Sequence, residues 1–177
     1  SGANFWDANF SGSNFNGSFF SSFTIFPVGF DPHAHSMFGP DGNYSQWDLS
    51  NRNFRGKHFN GADFSEANLV NISFWQGNIE GANFTDANLT NASLAGTHAR
   101  NSNFTNATLR NVGFGPNGGP SDFNGSNFSG ADLTGANLSG ANFWDANFSG
   151  SNFNGSFFSS FTIFPVGFDP HAHSMFG

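Results

Sequence analysis

The chain of 177 residues has no cysteine, one tyrosine, two methionines and only 10% charged residues. Without thiols there is no disulfide framework, thiolate zinc centre or cysteine nucleophile, and nothing reports the redox compartment. Apolar runs are too short for a membrane-spanning helix, and no charged-then-apolar leader is expected. Five Lys and Arg stand against twelve Asp and Glu, a net charge of −7, and form no basic stripe for a nucleic-acid backbone. What the chain does have is aromatic: 27 Phe within 37% hydrophobic residues. That burial potential excludes a disordered tail.

Repetition organises the sequence at two lengths, and it has to be read before secondary structure. Residues Ser1 to Gly39 recur letter for letter as Ser139 to Gly177, so one unit of 138 residues is followed by the start of another. The sequence reads as a window on a longer array. At the short scale an apolar residue recurs every fifth position, with a small residue two places before it and Asn or Asp between. Examples are Ala3-Asn4-Phe5, Ala8-Asn9-Phe10, Ala82-Asn83-Phe84, Ala87-Asn88-Leu89, Ala131-Asp132-Leu133 and Ala136-Asn137-Leu138. Neither helix nor simple strand periodicity gives that spacing.

This pattern resembles the pentapeptide-repeat family, Ala-(Asp/Asn)-(Leu/Phe)-X-X, over nearly the whole chain. The resemblance implies an all-β fold, a right-handed quadrilateral β-helix with four pentapeptides per coil. In it the central apolar residue and the small residue two before it point inward. Centring pentads on the apolar residue gives six from Phe5 to Phe30, fourteen from Leu49 to Phe114 and four from Phe123 to Leu138. The reading is therefore 24 pentads, about six coils, in a unit spanning 1–138, with loops at 33–46 and 117–120 and an identical next unit beginning at 139–177. One continuous solenoid results, each unit handing over on the same face. Taking every fourth pentad gives a Phe column (Phe10, Phe30, Phe64, Phe84, Phe104, Phe128) beside a nearly all-Leu column (Phe15, Leu49, Leu69, Leu89, Leu109, Leu133). Like stacks on like because mixed sizes would leave voids or clashes in a close-packed interior. Departures from the small inward residue fall at Phe23, Trp47, Arg52, Lys57 and Ile72, and the cations are expected to turn outward.

Few residues suggest a ligand. Asp31, His33 and His35 make a low-grade metal candidate, since two His at i and i+2 of an extended segment project to one side; a polar surface loop accounts for the same residues. No cofactor is otherwise expected. Glu80 and Arg100, one coil apart, suggest a surface ion pair of little weight. Sequons at Asn9, Asn43, Asn83 and Asn103 are candidate glycosylation sites, although the pentad pattern generates most of them. Outward aromatics at Trp6, Phe19, Phe26 and Trp75 suggest a lateral contact surface. Serine, histidine and aspartate abound, but no nucleophile elbow or phosphate-cradling loop organises them, so no enzyme is expected.

The functional expectation is a non-catalytic structural solenoid. It would form a long fibre by tandem continuation or end-to-end contact, at the cell surface or outside the cell, with itself as partner and no nucleic acid or membrane span. Two alternatives stand beside it. Some members of the family it resembles mimic duplex DNA and bind type II topoisomerases, and exposed Trp would suit a repetitive glycan-binding surface.

Overall fold

The computed structural model describes residues 2–177 apart from Ser22 and Pro116. Its logic is visible in one pentad, Asp63-Phe64-Ser65-Glu66-Ala67, where every backbone N–H has a partner. Asp63 N donates to Gly42 O of the preceding coil (2.9 Å), while Phe64 N and Glu66 N donate to Asn83 O and Thr85 O of the following one (2.7 and 2.8 Å). Ala67 N closes a turn onto Phe64 O (3.1 Å), and Ser65 N donates to the Asp63 carboxylate (3.0 Å). The backbone is thus fully paired without a second sheet or a helix.

The turn needs its third residue at positive φ, here Glu66 at 58°, and the same corner recurs at Asn71, Asp86, Asn91, Asn101, Asn106 and Asn111. Asn and Asp dominate because their short polar side chains tolerate this region better than most L-residues. Asn or Asp before the central residue has two tasks. It caps the turn, and where it is Asn its side-chain amide donates to the same position of the preceding coil, as Asn68 does to Asp48 (3.0 Å) and Asn83 to Asp63 (3.0 Å).

Repetition of this unit gives a right-handed quadrilateral β-helix. Parallel bridges step by one coil from Asn43↔Asp63 through Asn83↔Asn103 and Asn127↔Asn147 to Phe157↔Phe176. Inside, Phe64, Phe84, Phe104 and Phe128 stack face to face at 5.1, 4.8 and 4.8 Å, with rings within 8° of parallel. Leu49, Leu69, Leu89, Leu109 and Leu133 form the neighbouring buried column. Where Ser or Thr takes the small inward position, its buried hydroxyl donates to a central-residue carbonyl one coil back: Ser102 to Ile79 O (2.8 Å) and Ser126 to Ala99 O (2.7 Å). Ile72 is simply buried in that slot, and Ala99 is sealed between Ile79 and Phe123. Four extra residues between Phe114 and Phe123 leave the wall, and the register resumes at His98↔Asp122.

Three expectations are corrected at the start of the chain. Residues 33–46 are not one loop: Phe38 bridges Phe19, Asp41 N bonds Asn60 O, and Tyr44 begins the stack on Phe64 at 5.0 Å. Gly39 takes a central position, and the Tyr44 hydroxyl fills the missing volume, accepting from Gly39 N (2.8 Å) and donating to Gly39 O (3.1 Å). Burial pushes the Tyr44 pKa up, opposed by its bond to Gly39, so the hydroxyl remains neutral. Next, Phe26, expected to face outward, is the central residue of the second coil, because Asn4 bridges Ile25 and thereby sets Phe26 over Phe5. Finally, Phe10, Phe15 and Phe30 do not extend the long columns. They pack with one another (Phe10 to Phe15 4.8 Å, Phe10 to Phe30 4.9 Å) in a half-buried two-coil segment, residues 2–38.

As a result, the two identical segments are not in phase. Gly39 leads into the column of Phe59, Ile79, Ala99, Phe123 and Phe143, whereas Gly177 lies under Phe158 in the column of Phe114 and Leu138. The unit does not hand over on the same face.

Candidate contact surfaces

The aromatic residues expected to form one lateral surface are dispersed. Trp6 is 58% exposed and its twin Trp144 45%, each on the outer wall just after a central Phe. Phe26 is an inward residue, with rings of Phe20 and Phe30 at 5.5 and 5.2 Å. Trp75 is engaged within the chain. The Arg55 guanidinium lies 3.6 Å over its ring, its indole N–H donates to Asn117 O, and Gln76 beside it donates to Gly118 O (2.9 Å). The short loop is thereby pinned to a coil 42 residues earlier in sequence.

Phe19 has the most unexpected place. Although it occupies the outward position of its pentad, its ring packs on Phe54 (5.5 Å) and Phe59 (6.3 Å), with the Lys57 ammonium 4.6 Å over it. Its bridge partner Phe38, also at an outward position, contacts Tyr44, Trp47, Phe54 and Phe59 at 5.3–6.5 Å. Two outward aromatics of the first segment therefore close the open end of the main stack. Clefts flank this joint, one lined by Ser21, Phe23, Thr24, Lys57 and His58, the other by Asn16, Ser36, Trp47, Asp48 and Arg52. Sequence reasoning missed Phe38 and Tyr44. The available signal was spacing, because Phe20 to Phe26 and Phe26 to Phe30 both break the count of five.

The Asp31, His33 and His35 set is not brought together as ligands. His33 N donates to the Asp31 carboxylate (2.9 Å), the His33 ring lies against Phe20 (5.1 Å), and His35 stacks on Phe30 (4.4 Å) while its Nδ1 pairs with Asp31 O (2.8 Å). The twin residues repeat this, His173 on Phe168 at 4.6 Å and His171 by Phe158 at 5.4 Å, in the short 3-10 helix His171–His173. These imidazoles extend the aromatic core. Among the described residues no group of three or more His, Asp or Glu is placed to hold a metal.

Charges pair across coils, with one change from expectation. Arg100 bonds Asp122 (2.6 Å) rather than Glu80, because Asp122 projects from the following coil at the right height. Arg110 likewise bonds Asp132 (2.5 Å). Burial pushes the Asp132 carboxyl up, but the Thr134 hydroxyl, the Arg110 guanidinium and Thr134 N–H outweigh it and hold the pKa below its ordinary value. Of the sequon asparagines, Asn9 and Asn43 are exposed. Asn83 and Asn103 are half-buried, their amides engaged along the ladder with Asp63 and Thr85.

Coils of four pentapeptides, a two-residue inward pattern and outer Asn ladders define a β-solenoid wall. Pentapeptide repeats match residues 1–22, 48–81, 82–112 and 121–160 in eight copies, and the chain belongs to the pentapeptide-repeat family. No curated protein matches it. Among solved structures it is similar to a pentapeptide repeat protein of the cyanobacterium Cyanothece 51142 (24% identity, 58% of this chain and 63% of that one, TM-score 0.29). A second is from the Arabidopsis thaliana thylakoid lumen (25% identity, 67% and 66% covered, TM-score 0.29). A third is HetL of Nostoc, involved in heterocyst differentiation regulation (19% identity, 89% and 70% covered, TM-score 0.32). The chain spans 63% and 66% of the first two proteins.

Proposed function

We propose that this chain is part of a non-catalytic structural fibre of tandem 138-residue units, standing at the cell surface or outside the cell. One observation carries the reading. The parallel ladder runs without interruption from Leu138 into the duplicated segment, through Thr108↔Asp132, Asp132↔Asn152 and Asn137↔Phe157. A duplicated start that continues its predecessor's wall is what propagation requires, since a solenoid coil contacts only its neighbours. The exposed Trp6 and Trp144, the same residue one unit apart, are the candidates for lateral contact between fibres.

The pairing of Arg100 with Asp122 and of Arg110 with Asp132 breaks any continuous acidic face, which weighs against mimicry of duplex DNA. Electron microscopy of the native material tests the fibre reading. Unbranched filaments with a regular repeat of about 30 Å, six to seven coils at about 4.8 Å each, are expected. Short particles of fixed length would refute it.

A further inference from the structure

The chain contains an internal comparison, because the same 39 residues occur twice and are covered differently. Phe38 is 8% exposed and its twin Phe176 is 69% exposed. The residues up to Gly39 and up to Gly177 are identical, and what covers Phe38 is the run that follows Gly39. Phe38 and Phe19 meet the end of the coil Gly39–Phe59, through Tyr44, Trp47, Phe54 and Phe59. Phe176 and Phe157 form the same bridge; Phe176 is left 69% exposed, while Phe157 at 43% is little more open than Phe19 at 36%.

The covered contact is made by side chains rather than by the ladder. In the rest of the stack the residue before each central one donates to the preceding coil, as Asn68 N does to Trp47 O and Asn78 N to Lys57 O. Among the described residues the corresponding amides of Asn43, Asp48, Asn53 and His58 make no backbone hydrogen bond to residues 2–38. Pro40, which lacks an N–H, stands where the chain passes from one part to the other, and cannot donate to a ladder there. The joint is therefore an aromatic plug in an open coil end, held at its edge by the Tyr44 hydroxyl on Gly39.

We infer that the outward face carrying Phe157 and Phe176 is a docking surface for the open end of a coil with the sequence of Gly39–Phe59, supplied by a following unit. This rests on the tandem reading above. Each unit boundary then has two kinds of junction: an unbroken ladder from Leu138 into the duplicated segment, and a plugged, ladder-free joint from that segment into the next stack. A fibre so built is a series of short stacks separated by joints, and the joints are where it bends and where it opens first.

The test compares this chain with one extended after Gly177 by a second run of its own residues 40–177. Particle images of the extended chain should show two stacks meeting at a joint. Substituting Phe157→Ala with Phe176→Ala should accelerate protease cleavage at that joint at least tenfold, and should lower the denaturation midpoint of the 177-residue chain less than Phe19→Ala with Phe38→Ala does, because Phe176 is 69% exposed there against 8% for Phe38. The conservative pair Phe157→Leu with Phe176→Leu should restore most of the resistance. A single straight ladder through the junction overturns the joint and leaves the fibre reading standing, as does equal insensitivity of both chains to the substitutions. Native material without filaments overturns the fibre reading, while the joint in the extended chain is judged on its own result.

Discussion

Phe38→Ala and Phe176→Ala are the same substitution in the same 39-residue context, and the structure assigns them different costs. The rings differ in exposure by 8% against 69%. For a side chain that buries about 200 Å², that difference is about 120 Å², or about 3 kcal/mol at about 25 cal/mol/Å². A compact unfolded state lowers the figure to about 2 kcal/mol. Local propensity contributions of the preceding residues cancel, because those residues are identical. Hydrogen exchange read by mass spectrometry is the assay, on the bonds Phe38 N to Ser18 O and Phe20 N to Phe38 O, against their twins Phe176 N to Ser156 O and Phe158 N to Phe176 O. Phe38→Ala should accelerate exchange about 30- to 100-fold at the first pair, at about 1.4 kcal/mol per tenfold. Phe176→Ala should change the second less than about threefold, as expected for a substitution at an exposed site. Equal acceleration at both sites would refute the plug.

Other consequences follow from the same contacts. Phe104 is fully buried between two parallel rings, so Phe104→Ala should cost about 3–5 kcal/mol and Phe104→Leu distinctly less, read from guanidinium unfolding; a loss below about 1 kcal/mol would refute the stacked column. The amides of Asp48, Asn53 and His58 should exchange much faster than those of Asn68, Ser73 and Asn78, and equal protection would mean that a ladder crosses the joint. Asp132 should titrate below the ordinary carboxylate value in an NMR titration, and Arg110→Gln should raise its midpoint. Because the folded pKa is the lower one, its stabilising contribution is present above the unfolded value near about pH 4 and is lost as pH falls through the folded value. An unmoved midpoint would exclude the ion pair as a cause. Trp75→Ala should release the loop at Gly118 and Gly119 to protease, since its indole N–H and the neighbouring Gln76 hold that loop.

The period of five showed the repeat, its resemblance to the pentapeptide-repeat family supplied the quadrilateral wall with its inward and outward positions, and taking every fourth pentad then gave the Leu column and the Phe64 to Phe128 stack. All of these rest on bonds within one pentad or to the pentad one coil away, and Asp63 to Ala67 contains the whole set. The outward Asn ladder was legible for the same reason. Legibility ended where the spacing departed from five. Between Phe20 and Gly39 the choice of Phe26 over Ile25, and the filling of a central glycine by the Tyr44 hydroxyl, depend on which distant segment pairs with which. The joint lies beyond any local reading. Phe38 and Phe176 share the residues that precede them, yet Phe38 is 8% exposed beneath Tyr44, Trp47, Phe54 and Phe59 and Phe176 is 69% exposed. Only the tertiary structure shows the cover, because burial is set by the coil that lands on the ring, and the period of five does not say that the run after Gly39 packs onto the outward position of Phe38.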